Sequence, residues 1–355
     1  MDYSAMDRFR DALAGKPGDR VPLFPMIAGW AAANFAEVPA PALSRSPDLI
    51  AQAQIAAKET LGYDSLYAYA DALYIPEAFG CKVRFLETGP LVSPLMPSIG
   101  DARELPEPDV KTSGRLPVIL ELAEKLGSYS KDRIPVLGMF EGPFTTLCRV
   151  VEAEHILRLV YKNPSLLNEL LDRIAAFLLQ FGRALLESGA NVIFIPEPTA
   201  SASMISPAMF RRFVLPRLQR LTQELPAPCI LHICGNTAPL LEPMAHSGAD
   251  VLSLDQCMDL SAARAASPGV SLGGNVDPVD ALLMGTKEKV AEAARKCLQK
   301  AGTARFVLMS GCGIPPASPI ENVRAMVCAA EEYGLGPDGR ESPPDVELKG
   351  SFDEQ

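Results

Sequence analysis

The chain has no apolar run of the roughly 18 residues that a membrane-spanning helix needs. It also has no basic excess: 33 Lys and Arg against 43 Asp and Glu leave a net charge of −10. Nucleic acids and anionic membrane surfaces are held by basic patches, so neither is an expected partner. Eight cysteines in 355 residues are too few for a disulfide scaffold. Reduced thiols in the cytoplasm are therefore expected, and clusters of Cys and His are read first as metal or catalytic candidates. The N-terminal stretch is charged and amphipathic, without the apolar centre of a secretory leader, and none is expected there. No internal repeat is present, and no Gly-rich phosphate fingerprint follows the first apolar run. What is present is 48% apolar and 21% charged residues, enough to bury a large core as a globular enzyme does.

Eight short apolar, β-rich runs recur, at 21–28, 64–69, 134–140, 191–196, 229–234, 250–254, 270–274 and 305–310. Helical periodicity fills the intervals at 164–188, 207–225, 237–247, 287–301 and 319–333. Ser206–Pro207 and Ser318–Pro319 read as helix starts. Strand–helix alternation means parallel strands joined by right-handed crossovers. Eight of them predict an α/β fold, a (β/α)8 TIM barrel occupying 1–335 as one domain, with an N-terminal helical extension. The rival is an open doubly wound sheet, which the missing phosphate fingerprint disfavours. An insertion is expected between the second and third strands, at about 70–133, with a small hairpin over the barrel mouth. The segment 336–355, rich in Gly, Pro and charge, is expected to be a loosely ordered tail.

Active sites of parallel barrels lie at the C-terminal ends of the strands. Here those ends supply Glu141, then Glu197 between Pro196 and Pro198, then His232, Cys234 and Asn236. Asp255, then Asn275 and Asp277, and finally Cys312 follow from the last three strands. His232 and Cys234 are two apart on a strand and so face the same side. With Cys312 they make two thiolates and one imidazole, three protein ligands with a fourth position open, as in a catalytic zinc site. Free cysteines are usually buried small hydrophobes, and that is the reading for Cys81, Cys148, Cys229, Cys297 and Cys328. Cys257 is a spare ligand near the rim or a packing residue. His155 reads as a surface residue and His246 as a cation at a helix end. Glu197 and Asp255 are the catalytic candidates, either filling the open position or orienting His232. Glu197 has a structural rival, as an acceptor for loop amides. Glu141, Asn236, Asn275 and Asp277 are substrate-binding candidates, though Asp277 equally suits a helix cap.

Ligand charge narrows the chemistry. Zinc bearing two thiolates has lost Lewis acidity and polarises water less well than a three-His site. It is better suited to holding a further thiol as thiolate, a good nucleophile toward an electrophilic methyl group. Thiol alkylation is favoured over hydrolysis.

The strings LHICGNTAPLLEPMAHSGADVLSLDQ, GGNVDPVDALLMGT and SGCGIPPASPIENVRAM resemble the uroporphyrinogen decarboxylase superfamily, as do EGPFTTLCRVV and GANVIFIPEPTASASMISPAMFRRFVLPRL upstream. They are most similar to its corrinoid-dependent branch, the methylcobamide:coenzyme M methyltransferases. The resemblance implies a (β/α)8 barrel and a zinc ion on His232, Cys234 and Cys312. It implies methyl transfer from a methyl-Co(III) corrinoid protein to a coenzyme M-like thiol, leaving Co(I). The chain has no Asp-x-His-x-x-Gly segment, so the methylcobamide would be carried by a separate partner protein. The decarboxylase itself should carry an Arg-rich segment gripping its substrate's carboxylates, and VPLFPMIAGWAAANF has no Arg. The alternatives are a decarboxylase of a porphyrinogen-like substrate, a methylcorrinoid:tetrahydrofolate methyltransferase, and a non-catalytic zinc- or corrinoid-binding protein.

Overall fold

The computed structural model describes residues 3–36, 40–86 and 89–335, so the expected tail 336–355 lies outside the described residues. The strands are β1 (Leu66–Ala68), β2 (Lys82–Leu86), β3 (Gly89–Ser93), β4 (Val136–Met139), β5 (Val192–Pro196), β6 (Cys229–Ile233), β7 (Val251–Leu254), β8 (Ser271–Val276) and β9 (Phe306–Ser310). Seven of them form one parallel sheet in the order β1-β4-β5-β6-β7-β8-β9. Its strands are rich in Val, Ile and Leu and almost wholly buried, as expected of a parallel sheet covered by helices.

The first apolar run closes this sheet. Phe24 N donates to Leu308 O and Leu308 N to Pro22 O, both at 2.9 Å, while Asp64 N donates to Leu23 O at 2.9 Å on the other side. Segment 21–27 thus bridges β9 and the approach to β1, and the fold is a (β/α)8 barrel. Regular pairing in this segment is confined to a single parallel bridge, Leu23 to Leu308. Pro22 and Pro25 have no N–H to give a ladder, which explains the irregular strand.

The N-terminal helix Ala5–Ala14 starts in a capping box between Ser4 and Asp7. It covers the N-terminal end of the barrel: Phe9 packs on Phe24 with ring centroids 4.9 Å apart, and Arg305 Nη1 donates to Leu13 O. Buried Asp64 accepts from both Arg8 and Arg20, tying helix and closing segment to the barrel. Removing a partner from such an enclosed pair costs about 3–5 kcal/mol.

Between β1 and β4 lie helix Tyr74–Ala78, the antiparallel pair β2–β3, a turn of 3-10 helix and helix Leu116–Ser130. The connection between the hairpin strands, Glu87 and Thr88, is outside the described residues. Leu95 N donates to Val150 O and Met96 bridges Val151, so the hairpin's exit is fastened beside the end of helix Pro143–Val150.

The long helix Pro164–Glu187 runs within a residue of expectation, its side-chain cap being Asn163. The expected helix at 207–225 opens under Ser206 as anticipated but contains a π-helical turn, Phe210–Val214, before Leu215–Glu224. The other expected start is different. Helix Ile320–Tyr333 has Pro319 as its cap residue, and Ser318 gives no side-chain cap. The amides of Asn322 and Val323 are met by the Pro319 carbonyl instead.

Candidate metal centre

β6 carries His232 to the C-terminal end of the sheet, opposite Pro196 on β5 and Ser253 on β7. The ring is buried, lies nearly parallel to Phe194 with centroids 6.2 Å apart, and points into the barrel. Its Nδ1 is 3.2 Å from the Ser253 carbonyl and 3.1 Å from the Ser253 hydroxyl. A carbonyl only accepts, so Nδ1 is the protonated nitrogen and Nε2 keeps its lone pair. Cys234 Sγ lies 3.2 Å from that Nε2 and 3.7 Å from Cys312 Sγ. The three donor atoms all fall within 4.8 Å of one another, and this is the one such His/Cys/Asp/Glu group among the described residues.

The donors lie at the end of the sheet in half-open surroundings, with Cys234 and Cys312 partly exposed. Gly235 and Gly313, next to them in the chain, have no neighbour within 4 Å of where a Cβ would stand. The contact with Cys234, aided by His232, holds the Cys312 thiol well below its ordinary range and pushes Cys234 up. Two soft sulfurs and an imidazole lone pair converging on one point form a donor set that Zn2+ accepts.

The loops behind the donors are braced by hydrogen bonds. Asp255 accepts from Gly235 N at 2.8 Å and from Cys257 N at 3.0 Å, fixing the turn after Cys234. Asn275 Nδ2 donates to the carbonyls of Asp255 and Met258, so it steadies the Asp255 turn in its own right. Asp277 Oδ1 accepts from Val279 N and Asp280 N, and Asn236 Oδ1 accepts from Ala238 N.

Glu197 is fully buried at the end of β5. Its two oxygens accept from Phe144 N and Thr145 N, at the start of helix Pro143–Val150, where a carboxylate suits the orphan amides. Burial lifts its carboxyl to about 7, against the opposing pull of those hydrogen bonds. Gly142 is obligatory there, since a Cβ would stand 2.0 Å from Glu197 Oε2. Glu141 is buried too; Arg149 Nη2 donates to its Oε1 at 2.6 Å, and burial raises its carboxyl. These two carboxylates are held by their own neighbours rather than brought into the His/Cys group.

The remaining histidines are elsewhere: His155 meets the backbone of Ile99 and His246 pairs with Glu242 at the surface. Cys81, Cys148, Cys229 and Cys297 are buried, while Cys257 and Cys328 are exposed. Ser253 was not anticipated. Its signal was a lone hydroxyl in an apolar run, directly opposite His232 on the neighbouring strand.

The chain matches the family described as uroporphyrinogen decarboxylase (URO-D) over residues 4–333. It is 28% identical to methylcobamide:CoM methyltransferase MtaA of Methanosarcina barkeri over 340 residues, covering 94% of this chain and 99% of that protein. It is 30% identical to a uroporphyrinogen decarboxylase of Pelobacter propionicus over 341 residues, 90% of this chain and 96% of that one. A solved methyltransferase from Methanosarcina mazei superposes with a TM-score of 0.85 at 29% identity, covering 94% of this chain and 99% of that chain. The chain is a member of the uroporphyrinogen decarboxylase family.

Proposed function

We propose that this protein is a methyltransferase that moves a methyl group from a methyl-Co(III) corrinoid, carried by a separate protein, to a small coenzyme M-like thiol. The observation that carries the reading is the convergence of His232, Cys234 and Cys312 at the C-terminal end of the sheet. Near-full-length likeness to a methylcobamide:CoM methyltransferase supports it. His232 Nε2 and the sulfurs of Cys234 and Cys312 would hold Zn2+. Bound there, the ion would supply the positive charge that keeps an acceptor thiol ionised at neutral pH.

The chain's own residues contribute positioning. Ser253 fixes the imidazole tautomer, so that Nε2 presents its lone pair. Asp255 and Asn275 brace the turn that carries Cys234. Glu197 anchors the first turn of helix Pro143–Val150, which forms part of the mouth. Glu141, Asn236 and Asp277 line the same strand ends and are proposed to shape the space for acceptor and donor. Sulfur, methyl and cobalt must then lie in line, which is mainly a matter of orientation.

The test is Cys312→Ala, with metal analysis and a thiol-methylation assay using free methylcobalamin. Loss of stoichiometric zinc and of thiol methylation in a folded protein is expected. Full methylation without zinc would overturn the reading. Decarboxylation of a porphyrinogen that survives chelator would instead favour the activity named for the Pelobacter propionicus relative.

A further inference from the structure

The three donors are not held in the same way. His232 and Cys234 belong to β6 and its turn, locked by the sheet, by Ser253 and by Asp255. Cys312 lies beyond the end of β9 in the segment 311–319, which runs to the cap of the last helix. That segment is fastened to the chain just after the closing strand. Ile314 N donates to Met26 O at 2.9 Å, and Met26 N donates to Ser310 Oγ at 3.1 Å. Two side chains of helix Ala28–Phe35 complete the fastening. The indole Nε1 of Trp30, fully buried, donates to Ser318 O at 2.7 Å. Asn34 Nδ2 donates to Pro316 O at 2.9 Å and to Trp30 O at 2.9 Å. A Cβ on Gly313 would meet no neighbour within 4 Å, so the segment is open on that side.

We infer that Trp30 and Asn34 are positioning residues for Cys312: they set where the third donor sits relative to the two on β6. The inference rests on the metal reading of the triad, but it concerns the placement of the thiol itself. Pro315, Pro316 and Pro319 cannot donate backbone hydrogen bonds, so the amides that fasten the segment are those of Gly311, to Val276 O, Ile314, to Met26 O, and Ser318, to Pro315 O. Its carbonyls are instead met by donors from 280 or more residues earlier in the chain.

The test is a double-mutant cycle on zinc affinity, read by competition with a chromogenic chelator. Trp30→Phe keeps a buried ring and removes the N–H; Asn34→Ala alters an exposed side chain and keeps the protein folded should Trp30→Phe fail. Trp30→Phe is expected to weaken zinc binding about tenfold, the usual effect of one lost hydrogen bond to a buried acceptor, and Asn34→Ala, whose acceptor is exposed, by less. In a Cys312→Ser background the same changes should have no further effect, because the donor they place is gone. A second readout needs no metal. Diamide, reduced to its hydrazine as two thiols become a disulfide, should join Cys234 to Cys312, followed as the cross-linked peptide by mass spectrometry. Loosening the segment lowers the local concentration of one sulfur beside the other, so both variants should slow closure several-fold. Equal affinity losses in both backgrounds, or unchanged disulfide closure, would overturn the inference. A wild-type protein that binds no zinc condemns the metal reading, and the disulfide rates then decide this inference alone.

Discussion

His232 Nδ1 stands 3.2 Å from the Ser253 carbonyl and 3.1 Å from the Ser253 hydroxyl. Main chain and side chain of one residue thus orient the ring. Ser253→Ala keeps the carbonyl, and with it the tautomer, but removes the hydroxyl. Metal should stay stoichiometric at saturation, with affinity several-fold weaker, short of the roughly 10–100-fold seen when such outer partners are lost altogether. Chelator competition on the purified variant reads this directly, and an unchanged affinity would assign the orientation to the carbonyl alone.

Gly311 and Gly313 flank Cys312 and differ in their surroundings. A Cβ on Gly311 would stand 2.5 Å from Gln256 N, a backbone atom with little room to move, whereas Gly313 has open space. Gly311→Ala is expected to displace the turn before Cys312, lowering both metal content and stability, the latter by about 1–3 kcal/mol. Gly313→Ala should leave both close to wild type. Metal analysis and denaturant titration of the pair check this in one experiment.

Glu197 makes stability depend on pH. Its carboxyl is lifted from 4.5 to about 7 in the folded protein, chiefly by burial. The folded state therefore holds this proton more tightly than the unfolded one. The contribution is fully present below about pH 4.5 and is lost as pH rises to about 7. Across that window it is worth about 3 kcal/mol. Wild type minus Glu197→Gln, measured by denaturant unfolding at steps between pH 4.5 and 7.5, should show a difference that declines with rising pH. A flat difference would mean that the carboxyl titrates in its ordinary range.

Most of the barrel was legible because burial on both faces forces unbroken apolar runs, and those runs name their own ends. β5, β6 and β9 lie within the expected segments for that reason. The closing segment was also legible as apolar, but its two prolines made its pairing irregular. The His/Cys group could be read because residues two apart on a strand share a face. The partners of Glu197 could not, although a role as acceptor for loop amides was among its readings. Its partners, Phe144 and Thr145, begin a helix more than 50 residues earlier, and only the β4–β5 pairing brings them together. Ser318 failed as a cap because the helix starts one residue later, at Ile320, with Pro319 in the cap position and its carbonyl meeting the amides of Asn322 and Val323.

The barrel's seam joins distant parts of the polypeptide, with Met26 bonded to Ser310 across 284 positions. During synthesis the first stave must wait, unpaired on that side, until β9 has left the ribosome. A product cut short before β9 would present two raw sheet edges, the kind of surface that chaperones hold and aggregates recruit. The same seam carries Cys312, so the third sulfur is in place only in a chain that has completed its ring.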